Sequence, residues 1–252
     1  MTHLSLFSGI GGLDLSAEWA GFETVGQCEW ADYPTKVLEK HWPDVPRWRD
    51  VRDLTATDFT ARTGLEKVTV VSGGFPCQPH SLAGKRLASA DERDLWSELF
   101  RVFCETGAKW LVAENVGGLL SSEDGRFFGR ILRNLAEVGC DAFWHCFPAS
   151  AVGAVFERER VALVACADSN GLERLIQRPQ KTDAAHTIKR PPSEICRTAI
   201  GLWRGEETNT DGIRNGNGVS DWSHRLKCLG NAVVPQQFYP IFKAIAELED
   251  DE

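Results

Sequence analysis

The sequence predicts an α/β fold with a doubly wound, mostly parallel sheet. Up to about residue 167, short apolar runs rich in β-branched residues alternate with segments whose apolar residues recur at helical spacing. Several of these runs end in glycine-rich or acidic turns, which is where open α/β sheets bind their ligands. A polar stretch, 168–222, interrupts the alternation and is expected to form a small irregular region.

The composition is that of an ordinary globular protein. The 252 residues are 42% hydrophobic, which suits one large domain or one core with a small appendage. No apolar run reaches membrane-spanning length and the first residues lack a signal-peptide pattern, so we expect a cytoplasmic protein without membrane contact. The eight cysteines are scattered singly, which favours reduced thiols over disulfides or a metal site. We also expect a monomer.

The net charge of −8 argues against a nucleic-acid partner, because phosphate binding requires a basic surface. The charge is unevenly distributed, however. The stretch 171–230 contains ten Lys/Arg and seven Asp/Glu, a local excess of three positive charges. The charge distribution is therefore compatible with a basic surface on an otherwise acidic protein.

The first strand, 4–7, leads into a glycine-rich turn, 8–12, and then into a helix that runs to about Gly21. This order is typical of a cofactor cradle, because glycines let a ligand approach the backbone and a helix N-terminus attracts negative charge. A second strand, 24–28, ends in Glu29 and Trp30, which suit ribose hydroxyls and a purine ring. The alternative is a solvated glutamate and a core tryptophan.

Further predicted strands end in residues that could bind a ligand or take part in catalysis. A third strand edge at Trp48 precedes Asp50, which would face the same cofactor. The strand 68–71 leads into a stiff loop of glycines and prolines around Cys77. Cys77 can be interpreted either as a nucleophilic thiol or as a packing residue. Helices are expected at 33–41, 91–106 and 127–139, and strands at 109–113, 141–147 and 160–165. The strand 109–113 ends in Glu114 and Asn115.

The last third of the chain has two parts. The stretch 168–222 shows no clear period and is expected to be an irregular insert or small second domain, with a mobile linker as the alternative. A helix through Phe238 and Leu248 follows, and the acidic tail from Glu249 to Glu252 is expected to be solvated. The predicted units are thus 1–167, 168–222 and 223–252, the last returning to the first.

A thiol and a carboxyl at neighbouring strand ends, beside a nucleotide-like pocket, suit nucleophilic catalysis on a ring that needs protonation. The motifs that carry this chemistry are Phe7-Ser8-Gly9-Ile10-Gly11-Gly12, Glu29-Trp30, Asp50-Val51, Gly74-Phe75-Pro76-Cys77-Gln78-Pro79, Glu114-Asn115-Val116, Arg158-Glu159-Arg160 and Gly230-Asn231-Ala232-Val233. In this order the chain resembles the DNA cytosine-5 methyltransferases, especially short members of prophage type, over nearly everything except 168–222.

The resemblance implies a Rossmann-like methyltransferase fold, S-adenosylmethionine as cofactor and double-stranded DNA as partner. The stretch 168–222 would then be a small target-recognition region. The implied cofactor-binding residues are Phe7, Ser8, Gly9, Ile10, Gly11, Gly12, Glu29, Trp30, Asp50, Val51, Pro76, Asn231 and Ala232. The implied catalytic residues are Cys77, Glu114, Arg158 and Arg160, and the implied DNA contacts are Gln78, Ser81, Lys85 and Asn115.

The resemblance also implies a mechanism. The thiolate of Cys77 adds to C6 of a cytosine that has been flipped out of the duplex, while Glu114 protonates or hydrogen-bonds N3. Arg160 resembles the residue that binds O2 of the base, and Arg158 the one that positions a phosphate. The activated C5 then takes the methyl group, and loss of its proton expels the thiol.

Three departures from the family pattern stand out. His80 replaces the usual phenylalanine, and Phe156 with Glu157 stands where the family has glutamine or histidine before the first arginine. The ninth family motif is not identifiable, and the small region 168–222 suggests a short or relaxed target sequence.

Other readings stay open beside DNA methylation: an RNA cytosine methyltransferase, such as one acting on transfer RNA, or a catalytically silent DNA-binding or regulatory homologue. A separately encoded restriction endonuclease is a further implied partner. The remaining seven cysteines are assigned to packing.

Overall fold

The computed structural model describes residues 1–76, 95–168, 171–177, 228 and 230–251. The strands are β1 (Thr2–Leu6), β2 (Glu23–Cys28), β3 (Arg47–Trp48), β4 (Val70–Gly73), β5 (Trp110–Val116), β6 (Asp141–Phe147) and β7 (Arg160–Cys166). The helices are α1 (Gly12–Trp19), α2 (Asp32–His41), α3 (Ala56–Thr63), α4 (Trp96–Glu105), α5 (Arg126–Glu137), α6 (Gly171–Gln177) and α7 (Pro235–Asp250).

The strands form one mixed sheet in the order β3-β2-β1-β4-β5-β7-β6. The first five of these strands pair in parallel, whereas β7 runs antiparallel between β5 and β6. The carboxyl ends of β1, β2, β4 and β5 therefore lie along one edge, and β7 begins at that same edge. The expected mostly parallel α/β sheet is confirmed.

The sheet is covered on both faces because buried residues alternate along its strands. Leu111, Ala113 and Leu163 pack on one face with residues of α3, α4 and α5. Val112 and Val164 pack on the other face with residues of α1, α6 and α7. The fold is therefore a three-layer, doubly wound domain, with two hydrophobic cores separated by the sheet.

Helix α3 was not anticipated from the sequence. Its only buried side chain is Phe59, so its apolar residues show little helical period. Its ends carry the usual signals, since Thr55 accepts a hydrogen bond from the Asp58 amide and Gly64 follows with φ +74°.

Helix α6 corrects the expectation of irregular structure from residue 168 onward. Leu172 and Leu175, one helical turn apart, are buried in the core that α7 shares. The helix has only seven residues and is flanked by polar sequence, so its apolar residues are too few to show a helical period. The rest of 168–222 beyond Gln177 lies outside the described residues.

The expectation of a solvated acidic tail is wrong for Glu249. Its carboxylate accepts hydrogen bonds from the indole of Trp110 at 2.8 Å and pairs with the Lys109 ammonium at 2.9 Å. Both partners lie at the amino end of β5, so this contact fastens the end of α7 to the centre of the sheet. None of the helices described is long and apolar enough to cross a membrane.

Candidate active site at the carboxyl edge of the sheet

A cavity of about 680 Å³ opens at the carboxyl edge of the sheet, within the size range of small-molecule sites. It brings together residues from the amino terminus, the middle and the end of the chain. The predicted site residues that line it are Phe7, Ser8, Gly9, Ile10, Gly12, Glu29, Trp30, Asp50, Val51, Pro76, Glu114, Asn231 and Ala232.

The glycine loop between β1 and α1 forms one wall of this cavity. Phe7 and Gly9 both have positive φ, +52° and +56°, which turns the chain sharply after β1. The Ser8 hydroxyl donates to the carbonyls of Ser5 and Cys28, which fixes the loop between the ends of β1 and β2. A Cβ at Gly12 would lie 2.6 Å from the Val233 carbonyl oxygen, so the loop and the C-terminal segment pack backbone to backbone.

Gly11 has a different position from the rest of the loop. It does not line the cavity, and a Cβ there would lie 2.5 Å from the ring of Trp42. With φ at +87°, it turns the chain into α1 over that indole. Gly11 thus shapes the loop from behind.

Glu29 is held rigidly at the end of β2. Its carboxylate accepts hydrogen bonds from the Gly9 amide at 2.7 Å and the Ala31 amide at 2.8 Å. A carboxylate has about four acceptor positions, so further ones remain for hydroxyl groups in the cavity. The neighbouring Trp30 is 70% exposed and lines the same cavity, which leaves a ring face open for stacking.

Another wall of the cavity is formed by the 3-10 turn Val51–Asp53, which follows β3. Asp50 begins the turn and accepts a hydrogen bond from the Arg52 amide at 3.0 Å. From α4, the Arg101 guanidinium donates to the carbonyl of Val51 at 2.9 Å. The turn is therefore braced against the helix layer while its residues face the cavity.

Glu114 on β5 is the carboxyl group at the floor of the cavity. A Cβ at Gly74, which follows β4, would lie 2.8 Å from Glu114 Oε2, so only glycine leaves room for the carboxyl there. Burial raises the pKa of Glu114 to about 7, although the guanidinium groups of Arg160 and Arg158 oppose the rise. A group with this pKa can donate or accept a proton near neutral pH.

Arg160 reaches Glu114 because of the direction of β7. Arg160 is the first residue of that strand, and antiparallel pairing sets it opposite Val116, at the carboxyl end of β5. Its Nε lies 2.7 Å from Glu114 Oε1, and both side chains are largely buried. The sequence predicted both residues, but their ion pair depends on a strand orientation that the sequence pattern does not reveal.

Arg158 lies just before β7 with φ at +37°, an unusual backbone conformation for an arginine. Its guanidinium donates to the Ala232 carbonyl at 2.7 Å and lies 5.4 Å above the ring of Phe156. Phe156, one of the departures from the family pattern, thus makes a cation–π contact with Arg158. Glu157 faces Ser150, 3.2 Å away.

Asn115, predicted as a DNA contact, makes hydrogen bonds within the fold. Its side chain is buried, donates to the Phe75 carbonyl at 2.9 Å and accepts from the Val116 amide. It thus fixes the chain just before Pro76, two residues upstream of Cys77. The predicted residues Cys77, Gln78, Ser81 and Lys85, and the unexplained His80, lie outside the described residues.

Asp14 is a supporting residue that the sequence reading missed. It is fully buried in the first turn of α1, where Ser5 and Gln27 each donate to its carboxylate at 2.8 Å. Burial raises the pKa of Asp14 to about 6. These bonds tie α1 to β1 and β2, and an acidic residue two positions after the glycine pair was the available signal.

Gly74 and Val233, which belong to the predicted motifs, also line the cavity. Further cavity residues were not anticipated: Leu13, Cys28, Ala31, Asp32, Tyr33, Pro34, Arg49, Arg52, Leu95 and Cys228. Cys28 and Cys228 had been assigned to packing alone. Burial raises the pKa of the Cys28 thiol to about 12, which leaves it a poor nucleophile. Within the described residues no group of three or more His, Cys, Asp or Glu side chains could hold a metal ion.

The family model described as C-5 cytosine-specific DNA methylase matches residues 1–212 of the chain. The Type II methyltransferase M.Eco47II of Escherichia coli is 37% identical over 171 residues, 65% of this chain and 39% of that protein. M.BsuFI of Bacillus subtilis is 32% identical over 165 residues, with the same two shares. The chain thus spans about two fifths of the length of these relatives.

Two solved structures share the fold. A DNA modification methyltransferase encoded within an E. coli prophage gives a TM-score of 0.58 at 24% identity, covering 66% of this chain and 46% of that one. A mutant of DNMT2 from Spodoptera frugiperda gives a TM-score of 0.59 at 16% identity, covering 99% of this chain and 98% of that one.

Proposed function

Because the chain belongs to the C-5 cytosine-specific DNA methylase family, we propose that it transfers a methyl group from S-adenosylmethionine to C5 of cytosine in double-stranded DNA. One observation carries the proposal furthest. The Glu114 carboxyl lies buried at the floor of a cavity of about 680 Å³, 2.7 Å from the Arg160 guanidinium, and burial raises its pKa to about 7. Glu114 could therefore protonate the cytosine ring next to a cavity that could hold the methyl donor.

The cavity residues suit S-adenosylmethionine. Trp30 offers an exposed face for adenine, and Glu29 has acceptor positions for the two ribose hydroxyls. A Cβ at Gly9 would meet no described atom within 4 Å, so a ligand can approach the backbone there. When bound, the cofactor supplies an electrophilic methyl group. Asn231 and Ala232 would close the cavity from the C-terminal side.

The chain's own residues would carry out the remaining chemistry. Addition of the Cys77 thiolate to C6 forms a C–S bond and moves electron density to C5. Glu114 gives a proton or hydrogen bond to N3, which stabilises the electron density moved into the ring, and Arg160 binds O2. C5 would take the methyl carbon as the bond from that carbon to the sulfonium sulfur breaks, which leaves a neutral thioether. Loss of the C5 proton to water, with return of any N3 proton to Glu114, would then restore the double bond and expel Cys77 as thiolate.

The target carbon is enclosed in duplex DNA, so we propose that the cytosine is flipped out, at a cost of roughly a few kcal/mol. Arg158, Gln78, Ser81 and Lys85 would contact the DNA around the flipped base, with Arg158 on a phosphate. The segment 168–222 would hold the target-recognition residues. A separate restriction endonuclease, a cytoplasmic location and a monomeric state complete the proposal.

Replacing Trp30 by alanine is expected to weaken S-adenosylmethionine binding about tenfold, because stacking of a base on an aromatic ring contributes roughly 1–3 kcal/mol. The dissociation constant is measured by isothermal titration calorimetry. Trp144→Ala is the matched control, since Trp144 is a half-exposed indole on β6 that does not line the cavity. Equal affinities for the two variants would argue against adenine stacking on Trp30.

Replacing Gly74 by alanine is expected to lower kcat roughly tenfold or more, because the new methyl carbon would displace the Glu114 carboxyl. Gly118→Ala is the control, since a Cβ at Gly118 would meet no described atom within 4 Å. Initial methylation rates and melting temperatures are compared. A Gly74 variant that methylates as fast as the control would show that the Glu114 position is not critical.

The proposed function is tested by incubating the protein with tritiated S-adenosylmethionine and either double-stranded DNA or transfer RNA. Label in DNA supports the proposal, whereas label in RNA alone would favour the RNA-modifying reading. A DNA duplex that contains 5-fluorocytosine should also trap a covalent complex, because fluorine at C5 cannot leave as a proton. Normal cofactor binding without label or covalent complex would favour the silent homologue.

A further inference from the structure

The connection between β6 and β7 holds Arg158 in a strained backbone conformation. A φ of +37° is rare for a residue with a side chain, and such strain persists only where the surroundings fix it. The Ala149 amide donates to the Arg158 carbonyl at 3.3 Å from within the same connection. The second contact to this carbonyl comes from α7, at the far end of the chain.

That contact is made by Gln237, in the first turn of α7. Its side-chain amide donates to the Phe147 carbonyl at 3.0 Å and to the Arg158 carbonyl at 3.3 Å. One amide group thus joins the end of β6 to the residue that lies two positions before β7. Gln237 is 1% exposed, so water does not compete for these bonds.

The other end of the same side chain is unsatisfied. Among the described residues, Gln237 Oε1 is buried without a hydrogen-bond partner, and such an acceptor destabilises the folded state. A hydrophobic side chain of equal length would avoid this cost. We therefore attribute the presence of an amide at this position to the two bonds that it donates to the Phe147 and Arg158 carbonyls.

We propose that Gln237 is a positioning residue that sets Arg158 against the cofactor wall. The inference rests on the proposed function, in which Arg158 acts on DNA. The Arg158 guanidinium donates to the Ala232 carbonyl, and Ala232 lines the cavity. Gln237 fixes the backbone of Arg158, so it fixes the point from which this guanidinium reaches.

The start of α7 is itself anchored to the glycine loop. The Ser16 hydroxyl on α1 lies 2.9 Å from both the Gly12 and the Pro235 carbonyls. Gln237, two residues beyond Pro235, is thereby tied to the cofactor loop on one side and to the Arg158 connection on the other. The start of α7 thus connects the glycine loop to the Arg158 connection.

The test compares Gln237→Met, which keeps length and loses both donors, with Gln236→Met at the half-buried neighbouring position. We expect Gln237→Met to lower kcat roughly ten- to a hundredfold, the scale of a misplaced catalytic group. Its dissociation constant for S-adenosylmethionine should stay close to that of the control, and both variants should remain folded at the assay temperature. If Gln237→Met does not bind cofactor, Gln237→Asn is measured by the same criteria.

A double-mutant cycle with Arg158→Ala separates positioning from a general structural role. If Gln237 acts through Arg158, adding Gln237→Met to Arg158→Ala leaves kcat unchanged. Full multiplication of the two effects, or a Gln237 variant as active as the control, would overturn the inference. Wild-type protein is measured first on cytosine-containing DNA, so an inactive wild type would contradict the proposed function instead.

Discussion

Glu114→Gln is expected to lower kcat by about 10²–10⁴-fold, the usual contribution of general acid–base catalysis. Glutamine keeps the shape and can hydrogen-bond N3, but it has no proton to give to the ring. The Glu114 carboxyl is held in place between Gly74 and the Arg160 guanidinium. Rates are measured as initial methyl transfer at saturating DNA and cofactor.

The pH dependence gives this prediction a second test. Burial raises the pKa of Glu114 to about 7, so its protonated form predominates below pH 7 and is lost as the pH rises above it. The wild-type rate should therefore show an alkaline limb that Glu114→Gln lacks. Glu137→Gln, at an exposed position on α5, should keep both the rate and the limb. An unchanged alkaline limb in Glu114→Gln would exclude Glu114 as the titrating group.

Cys77→Ala is expected to have the largest effect of all, a loss of methyl transfer by roughly 10⁴-fold or more, as when other covalent nucleophiles are removed. Without a C–S bond at C6, C5 is too weakly nucleophilic to attack a sulfonium methyl group. The variant should still bind cofactor, because the proposed adenine and ribose contacts are made by Trp30 and Glu29. Methyl transfer and the covalent complex with 5-fluorocytosine DNA are both measured.

Cys104→Ala is the matched control, since Cys104 is an exposed thiol on α4 away from the cavity. It should methylate like the wild type and form the same covalent complex. Loss of activity in both cysteine variants, with their cofactor affinity intact, would show that the effect at Cys77 is not that of a specific nucleophile.

The cofactor side of the site could be predicted from sequence because its signals are local. A strand, a glycine turn and a helix follow one another within 20 residues, and Glu29 with Trp30 comes directly after the next strand. The carboxyl ends of parallel strands meet at one edge, so the convergence of these residues follows from the fold class alone.

The contacts that support the site could not be predicted, because each depends on tertiary placement. The orientation of β7 decides that Arg160 meets Glu114, and alternating sequence patterns do not encode strand direction. Gln237 is 79 residues from the carbonyl of Arg158 that it binds, and nothing local marks it. Glu249 looked solvated because four acidic residues end the chain, yet its partners lie on β5.

Base-resolution methylation mapping can detect cytosine-5 methylation of DNA in cells. The protein and its Cys77→Ala variant are expressed in a host whose own DNA lacks 5-methylcytosine. We expect 5-methylcytosine at a short or relaxed target sequence in cells with the wild-type protein and none above background with the variant. Unmethylated DNA in cells that contain folded, cofactor-binding wild type, or residual methylation by Cys77→Ala, would contradict this expectation.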